Sequence, residues 1–308
     1  MDFKDENIEL SKLNINDLNH ILNKINEYDL ELRNSLNFNN NVTFGIEIES
    51  EFADVDKIIF LVNANNLDRK WLLKDDFSLD RGIEIASPIL KDEKKSYEEI
   101  KTICNIFKRY SMIGANSGGH VHIGSQILEN EENLKKLINF WTLYEHIIYR
   151  FTNGEYLNAR PSLNIYAAPL RYVCLPNNFT YNKYNVAMVD SAIRICNISS
   201  YNTQKLRNTI EFRSPNGTLN EVIWQNNINL FVKMIEKIKN IDIDELYYKY
   251  YDCFSISTNE YNKIYFKDAI NFTDIVFDNL TDKIYFLSQY FKNNQTSDKY
   301  IKAKKFIK

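Results

Sequence analysis

Residues 116–125 read NSGGHVHIGS. The stretch holds two of the chain's four histidines and, in Gly118, Gly119 and Gly124, three of its eight glycines. Side chains alternate faces along a strand, so His120 and His122 share one side while Val121 and Ile123 take the other. By itself such a pair reads as a half-exposed strand carrying two imidazoles. The neighbouring segments decide whether those imidazoles face solvent or a ligand.

The same alternation recurs in three further segments. FGIEIES sets Phe44, Ile46 and Ile48 against Glu47 and Glu49, GIEIASP flanks Glu84 with Ile83 and Ile85, and TIEFR sets Ile210 and Phe212 against Glu211 and Arg213. A solvated strand face would carry mixed Lys, Thr, Ser and Gln. Here the out-of-phase positions are glutamate, histidine and arginine. Carboxylates gathered on neighbouring strands repel unless cations compensate, and hard divalent ions such as Mg²⁺ or Mn²⁺ favour oxygen-rich sites. An imidazole among them suits Mn²⁺ or Mg²⁺ shared with a phosphate ligand better than a structural zinc site. An arginine beside them suits a multiply charged oxyanion. Together these residue types point to phosphoryl chemistry.

Composition sets the limits. The chain has 308 residues, 44% hydrophobic and 26% charged, with a formal net charge of −3. That is ordinary for a soluble globular protein, and the absence of a basic excess argues against nucleic acid or an anionic membrane as partner. No run approaches the roughly 18–20 apolar residues of a membrane span, and MDFKDENIEL lacks the apolar core of a signal peptide, so a cytoplasmic location is expected. Cys104, Cys174, Cys196 and Cys253 show no C-x-x-C spacing and read as reduced core residues. Eight glycines are far below the usual share of about 7%, so those that remain mark backbone geometry. All but Gly154 lie in or beside the alternating strand segments and their neighbours.

Leu18, Ile21, Leu22 and Ile25 predict a helix or helical pair within 15–37, with His20 on its surface. Short strands are expected from VTFGIEIESEF, KIIFLVN, KWLLKDDFSL and GIEIASPIL. Helices follow at about 94–112, from NEENLKKL to about 152, and at about 219–240. His146 sits among apolar neighbours as a packing residue. NTIEFRSPNGTL predicts a strand ending in a turn at Asn216-Gly217. The organisation expected is an N-terminal helical segment (1–40), a catalytic domain (41–240) and a helical, aromatic-rich C-terminal segment packed on it (241–308).

FGIEIE, DDFSL, EIASPIL, NSGGHVHIG and TIEFR followed by GTL, in that order over about 41–235, resemble the amidoligase family of the carboxylate-amine ligase superfamily, which includes glutamine synthetase and glutamate-cysteine ligase. The resemblance implies an α+β fold, a curved, largely antiparallel sheet backed by helices, whose concave face holds Mg²⁺ (or Mn²⁺) and ATP. By motif position it implies Glu47, Glu49, Glu84, His120 and Glu211 as metal ligands and His122 near the nucleotide phosphates. Arg213 would stabilise the transferring phosphoryl group. Asp76 and Ser78 match a D-G-S-L segment, in which the acidic residue lies near metal or substrate amine. Phe77 replaces the glycine of that segment, and Asn208 stands where a glycine often precedes TIEFR. Arg160 and Arg171, with Arg150, lie where basic substrate-binding or nucleotide-binding residues occur in the family, though ordinary surface arginines would look the same.

The implied activity is ATP-dependent amide-bond formation between a small-molecule or peptide carboxylate and an amine, through an acyl phosphate. Two alternatives stay open: a phosphotransferase on the same sheet, and a non-catalytic nucleotide or metal sensor. The sequence specifies neither the substrates nor an oligomeric state.

Overall fold

Helix caps and strand alternation set the elements of the computed structural model, which describes residues 7–27, 30–172, 191–198 and 204–292. Helix α1 (Ile15–Glu27) begins at Asn14, whose side chain accepts from the backbone N–H of Asn16 and Asp17. His20 is exposed on it. The helical expectation for 15–37 holds only for its first part. Residues 30–43 are not helical, and the backbone N–H groups of Leu36 and Phe38 donate instead to the Asp92 carboxylate.

Strand β1 (Phe44–Ser50) is followed by helix α2 (Val55–Ala64). KIIFLVN therefore lies in a helix, a correction to the strand expected there. Asp54 caps it by accepting from Lys57 N, and the buried pair Ile58 and Val62 falls at i, i+4. A short apolar run does not distinguish the two periods, and the cap decides. Strands β2 (Leu72–Asp75) and β3 (Ile83–Ala86) lead to α3 (Lys94–Tyr110), β4 (Gly119–Gly124) and α4 (Glu131–Thr152). The short α5 (Leu163–Tyr166) precedes β5 (Ile193–Ile198) and β6 (Gln204–Phe212). Helices α6 (Glu221–Ile238), α7 (Ile243–Lys249), α8 (Phe266–Val276) and α9 (Leu280–Phe291) follow. Asn130, Asn220 and Asn279 cap α4, α6 and α9 by accepting from backbone N–H groups of the first turn.

Among the described residues six strands form one open sheet in the order β2-β3-β1-β4-β6-β5, with every neighbouring pair antiparallel. The fold is thus α+β, a mixed arrangement of helices and an antiparallel sheet, as expected. Register sets the faces. Ile46, Ile48, Ile83, Ile85, Val121, Ile123, Ile210 and Phe212 are buried on one side. Phe212 stacks on Phe231 of α6, with ring centroids 4.1 Å apart, and on Trp141 of α4 at 5.7 Å. Those contacts fix which side of each strand faces the helices, and Glu47, Glu49, Glu84, His120, His122 and Glu211 share the other side.

After β6 the chain does not end in a free turn. Pro215 O accepts from Gly119 N, and Gly217 N donates to Ser117 O, so the SPNGT segment runs back along the entry to β4. A Cβ at Gly217 would come within 2.9 Å of Ser117 Cβ and 3.0 Å of Ser117 O, so only glycine permits that approach. The C-terminal helices pack on this frame through aromatic pairs, Phe151 with Phe286 at 4.6 Å and Phe140 with Phe272 at 5.7 Å. Among the described residues no helix is long and apolar enough to cross a membrane.

Candidate functional site

Antiparallel register brings the polar positions of four strands into direct opposition. Glu47 faces His120 across β1 and β4, Glu49 faces Glu84 across β1 and β3, and His122 faces Glu211 across β4 and β6. Directly opposed residues have Cβ atoms roughly 5 Å apart, close enough for side chains to share a ligand. Two donor groups result. One ligand atom from each of Glu47, His120 and Glu211 lies within 4.8 Å of the other two, and the same holds for Glu49, Asp76 and Glu84.

In the first group Glu47 Oε2 lies 2.8 Å from His120 Nδ1, and His122 Nε2 stands 3.4 Å from Glu47 Oε1. His120 Nδ1 is also 3.7 Å from Glu211 Oε1, and its Nε2 is 3.6 Å from Glu49 Oε1, so this imidazole bridges the two groups. Burial would raise the Glu47 carboxyl, but the hydrogen bonds and charges of His120 and His122 outweigh it and hold the group far below the usual carboxylate range. Glu211 follows the same pattern. Burial pushes it up, while the charges of His120, His122, Arg213 and Arg194 bring it below its ordinary value.

The second group belongs to β1, β3 and the turn after β2. Glu49 Oε2 accepts the backbone N–H of Gly118 at 2.5 Å. Asp76 Oδ1 accepts from both Ser78 N at 2.8 Å and Ser78 Oγ at 2.7 Å, a local Asx turn that fixes the carboxylate. Ser78 therefore orients Asp76, and Phe77 between them is fully exposed. The missing family glycine leaves the turn intact because the phenyl ring points to solvent. Glu84 is raised, first by burial and then by the charge of Glu47. Asn208 lies within extended β6, so no left-handed conformation is needed there.

Arginines border both groups. Arg213 Nη1 donates to Glu211 Oε1 at 2.5 Å, and its Nε to Tyr166 O at 2.8 Å. Arg160 is buried beside Gly118, held by the carbonyls of Pro215 and Arg213, with its backbone N–H on Asn216 Oδ1. Burial lowers its affinity for a proton, the Glu49 charge opposes that, and the Arg213 charge adds to it. Arg171 is not brought to this face. It donates to Thr142 O and Ile256 O and pairs with Glu145 of α4 at 3.8 Å, on the helical side of the sheet. Arg150 likewise donates to the carbonyls of Tyr290 and Asn262.

Two cations were not singled out in the sequence. Lys74 Nζ lies 2.7 Å from Glu84 Oε1 and 3.6 Å from Glu47 Oε1. Arg194 Nη1 lies 3.8 Å from Glu211 Oε2. The signal was present in both cases, since LLKD and AIRI alternate like the other strands. Burial lowers Lys74, but Glu84 and Glu47 more than offset it and keep the ammonium charged. The donor chemistry fits divalent metal: the all-carboxylate group suits a hard ion, and the group with one imidazole suits Mg²⁺ or Mn²⁺.

A family model described as "Putative amidoligase enzyme" matches residues 8–235, well over half of the chain. The chain belongs to this amidoligase family. Membership points to ligase-type chemistry on small-molecule substrates. A solved crystal structure described as a novel glutamine synthase homolog is similar over 85% of this chain and 67% of that one, at 11% identity and a TM-score of 0.41. A likeness this remote transfers no residue roles between amidoligases and that protein. No curated protein sequence matches the chain.

Proposed function

We propose that this amidoligase is an ATP-dependent carboxylate-amine ligase that forms an amide bond through an acyl phosphate. The observation that supports this most is the juxtaposition of the Glu47–His120–Glu211 and Glu49–Asp76–Glu84 groups on one sheet face, with Arg213 and Arg160 at their border. A carboxylate oxygen of one substrate attacks the γ-phosphorus of ATP and ADP departs. An amine then attacks the acyl carbon, phosphate leaves with the bonding pair, and the nitrogen loses a proton.

Divalent cations held by the two groups would neutralise phosphate oxygens and allow an anionic nucleotide to approach. The chain's own residues do the positioning. Arg213, fixed by Tyr166 O and Glu211, presents a guanidinium to the phosphoryl group in transfer. His122, beside Glu47 and with its Nδ1 3.3 Å from Thr209 Oγ1, faces the nucleotide phosphates. Ser78 holds the Asp76 carboxylate, which takes the proton released by the attacking amine. Arg160 and Glu49 flank the acceptor carboxylate, where a fixed cation offsets its charge.

The test is a matrix of amino acids, short peptides and amines with ATP and Mg²⁺, read as phosphate release and product mass. The proposal expects release that requires one carboxylate and one amine together, and a product lighter than its two precursors by one water. ADP formation with a stable phosphorylated product and no amide would make the protein a phosphotransferase instead. ATP binding without turnover on any pair would make it a sensor.

A further inference from the structure

Among the helices, of which α4 packs on the apolar face of the sheet, three side chains from separate elements meet. His146 comes from α4, Cys253 from the short 3-10 helix Tyr251–Ser255, and Asp268 from the first turn of α8. One imidazole nitrogen, the sulfur and one carboxylate oxygen lie within 4.8 Å of one another. His146 is fully buried and Cys253 nearly so, while the Asp268 side chain keeps 23% exposure, which leaves an entry path. We propose that His146, Cys253 and Asp268 form a second metal site, separate from the sheet face, for a borderline-soft divalent ion of the zinc class.

Chemistry selects the ion. Thiolate, imidazole and carboxylate are ligands that zinc takes in tetrahedral sites, whereas Mg²⁺ and Ca²⁺ avoid sulfur. The surroundings supply an independent observation. His146 Nε2 lies 3.2 Å from Asp268 Oδ2, but among the described residues the buried His146 Nδ1 has no hydrogen-bond partner. The Tyr144 hydroxyl, also fully buried, has none among the described residues either. It lies near enough to Cys253 and Asp268 for their charges to add to the effect of burial in raising the phenol. An ion held by Cys253, Asp268 and one His146 nitrogen, with a bound water as a further ligand, would give the buried Tyr144 hydroxyl a partner. Helix α4 also breaks its regular geometry at Tyr144, with φ −105° and ψ 18°, beside the cluster.

Burial, with the Asp268 charge, pushes the Cys253 thiol up to about 12, and burial lowers His146 against the pull of Asp268. The metal-free cluster therefore keeps a protonated thiol and is no reactive nucleophile. Zinc binding replaces the thiol proton, which passes to solvent. Arg171, whose charge reaches both groups, is itself paired with Glu145 and does not close the site. Cys253 and Asp268 lie beyond the residues matched by the family model, so the ion would fasten the C-terminal helices to α4.

Co²⁺ titration of the full chain, stripped of metal, tests this. Expected are a near-ultraviolet thiolate-to-cobalt band and tetrahedral visible bands at one equivalent, both lost in Cys253→Ser and both kept in Glu84→Gln, which alters only the sheet face. A variant lacking Cys104, Cys174 and Cys196 should keep the band, which covers the case of a Cys253→Ser chain that does not fold. Zn²⁺ alone should raise the melting temperature of the wild type. Absence of the thiolate band in the wild type, or its survival in Cys253→Ser, overturns the proposal.

Discussion

Gly118 and Gly119 sit at the start of β4 with their missing side chains on opposite faces, so adding one methyl to each separates the site from the core. A Cβ at Gly118 would collide with Arg160 Nη1 and lie 2.7 Å from Arg160 Cζ and 3.0 Å from Glu49 Oε2. Neither neighbour yields easily, because the Arg160 guanidinium is bound to the carbonyls of Pro215 and Arg213, and Glu49 Oε2 accepts the Gly118 N–H itself. Overpacking costs about 1–3 kcal/mol, and an unpaired buried N–H adds about 1–3 kcal/mol. Taking ~2 kcal/mol, the low end of that sum, Gly118→Ala should lower the Tm by about 3 °C for a chain of this size. It should also weaken Mn²⁺ binding, because Glu49 is displaced. A Cβ at Gly119 would meet the Trp224 ring at 2.5 Å on the apolar side. Gly119→Ala should therefore lose similar stability while its Mn²⁺ affinity stays close to the wild type. Melting curves of metal-free protein and Mn²⁺ titration followed by electron paramagnetic resonance measure both effects. A Gly118→Ala chain that melts and binds Mn²⁺ like the wild type would refute the reasoning, as would equal loss of Mn²⁺ affinity in both variants.

Replacing His120 with Ala should weaken Mn²⁺ binding by at least the ~10–100-fold that even outer-shell partners of a metal cost, whereas Arg213→Lys should leave it unchanged and lower turnover by about 10³ or more. Parallel Mn²⁺ titration and steady-state phosphate release distinguish the two. Lys74→Gln removes a cation that competes for Glu84 and Glu47, so Mn²⁺ should bind more tightly, by at most about fivefold for a pair this exposed. Weaker binding in that variant would contradict the assignment. Burial raises Glu145 from 4.5 to about 7 even though Arg171, Leu170 N, Tyr261 and Trp141 all favour its ionised form. A folded-state value above the unfolded one stabilises the protein fully below about pH 4.5, and that contribution is lost as pH rises through about 7. Up to about 3 kcal/mol of stability is at stake over that window. Chemical denaturation at several pH values should show the decline, and Glu145→Gln should flatten it.

The site was more legible in the sequence than the framework around it. Alternation in FGIEIES, GIEIA, GGHVHIG and TIEF identifies both the strands and their polar faces, because a period of two needs no tertiary information. The order of the strands, with β4 between β1 and β6, lies outside any local pattern. KIIFLVN escaped because seven residues hold barely two helical turns, and the deciding feature was the Asp54 cap. Arg171 escaped because its partners, Glu145 and the carbonyls of Thr142 and Ile256, are distant in sequence and tied to helix packing. The same distance hid the cluster of His146, Cys253 and Asp268, three residues spread over more than a hundred positions. Lys74 and Arg194 were within reach, since each occupies the out-of-phase position of its own strand. The turn expected at Asn216-Gly217 proved to be a return segment hydrogen-bonded to Ser117 and Gly119, a pairing only the folded chain reveals.

Binding of ATP measured by calorimetry with and without Mg²⁺ bears most directly on a metal-nucleotide site at this sheet face. The carboxylates of Glu47, Glu49, Glu84 and Glu211 repel an anionic nucleotide, and like charges brought together cost several kcal/mol. ATP should therefore bind in the presence of Mg²⁺ and at least about tenfold more weakly in its absence, a difference of about 1.4 kcal/mol or more. Equal affinity under the two conditions would contradict the account.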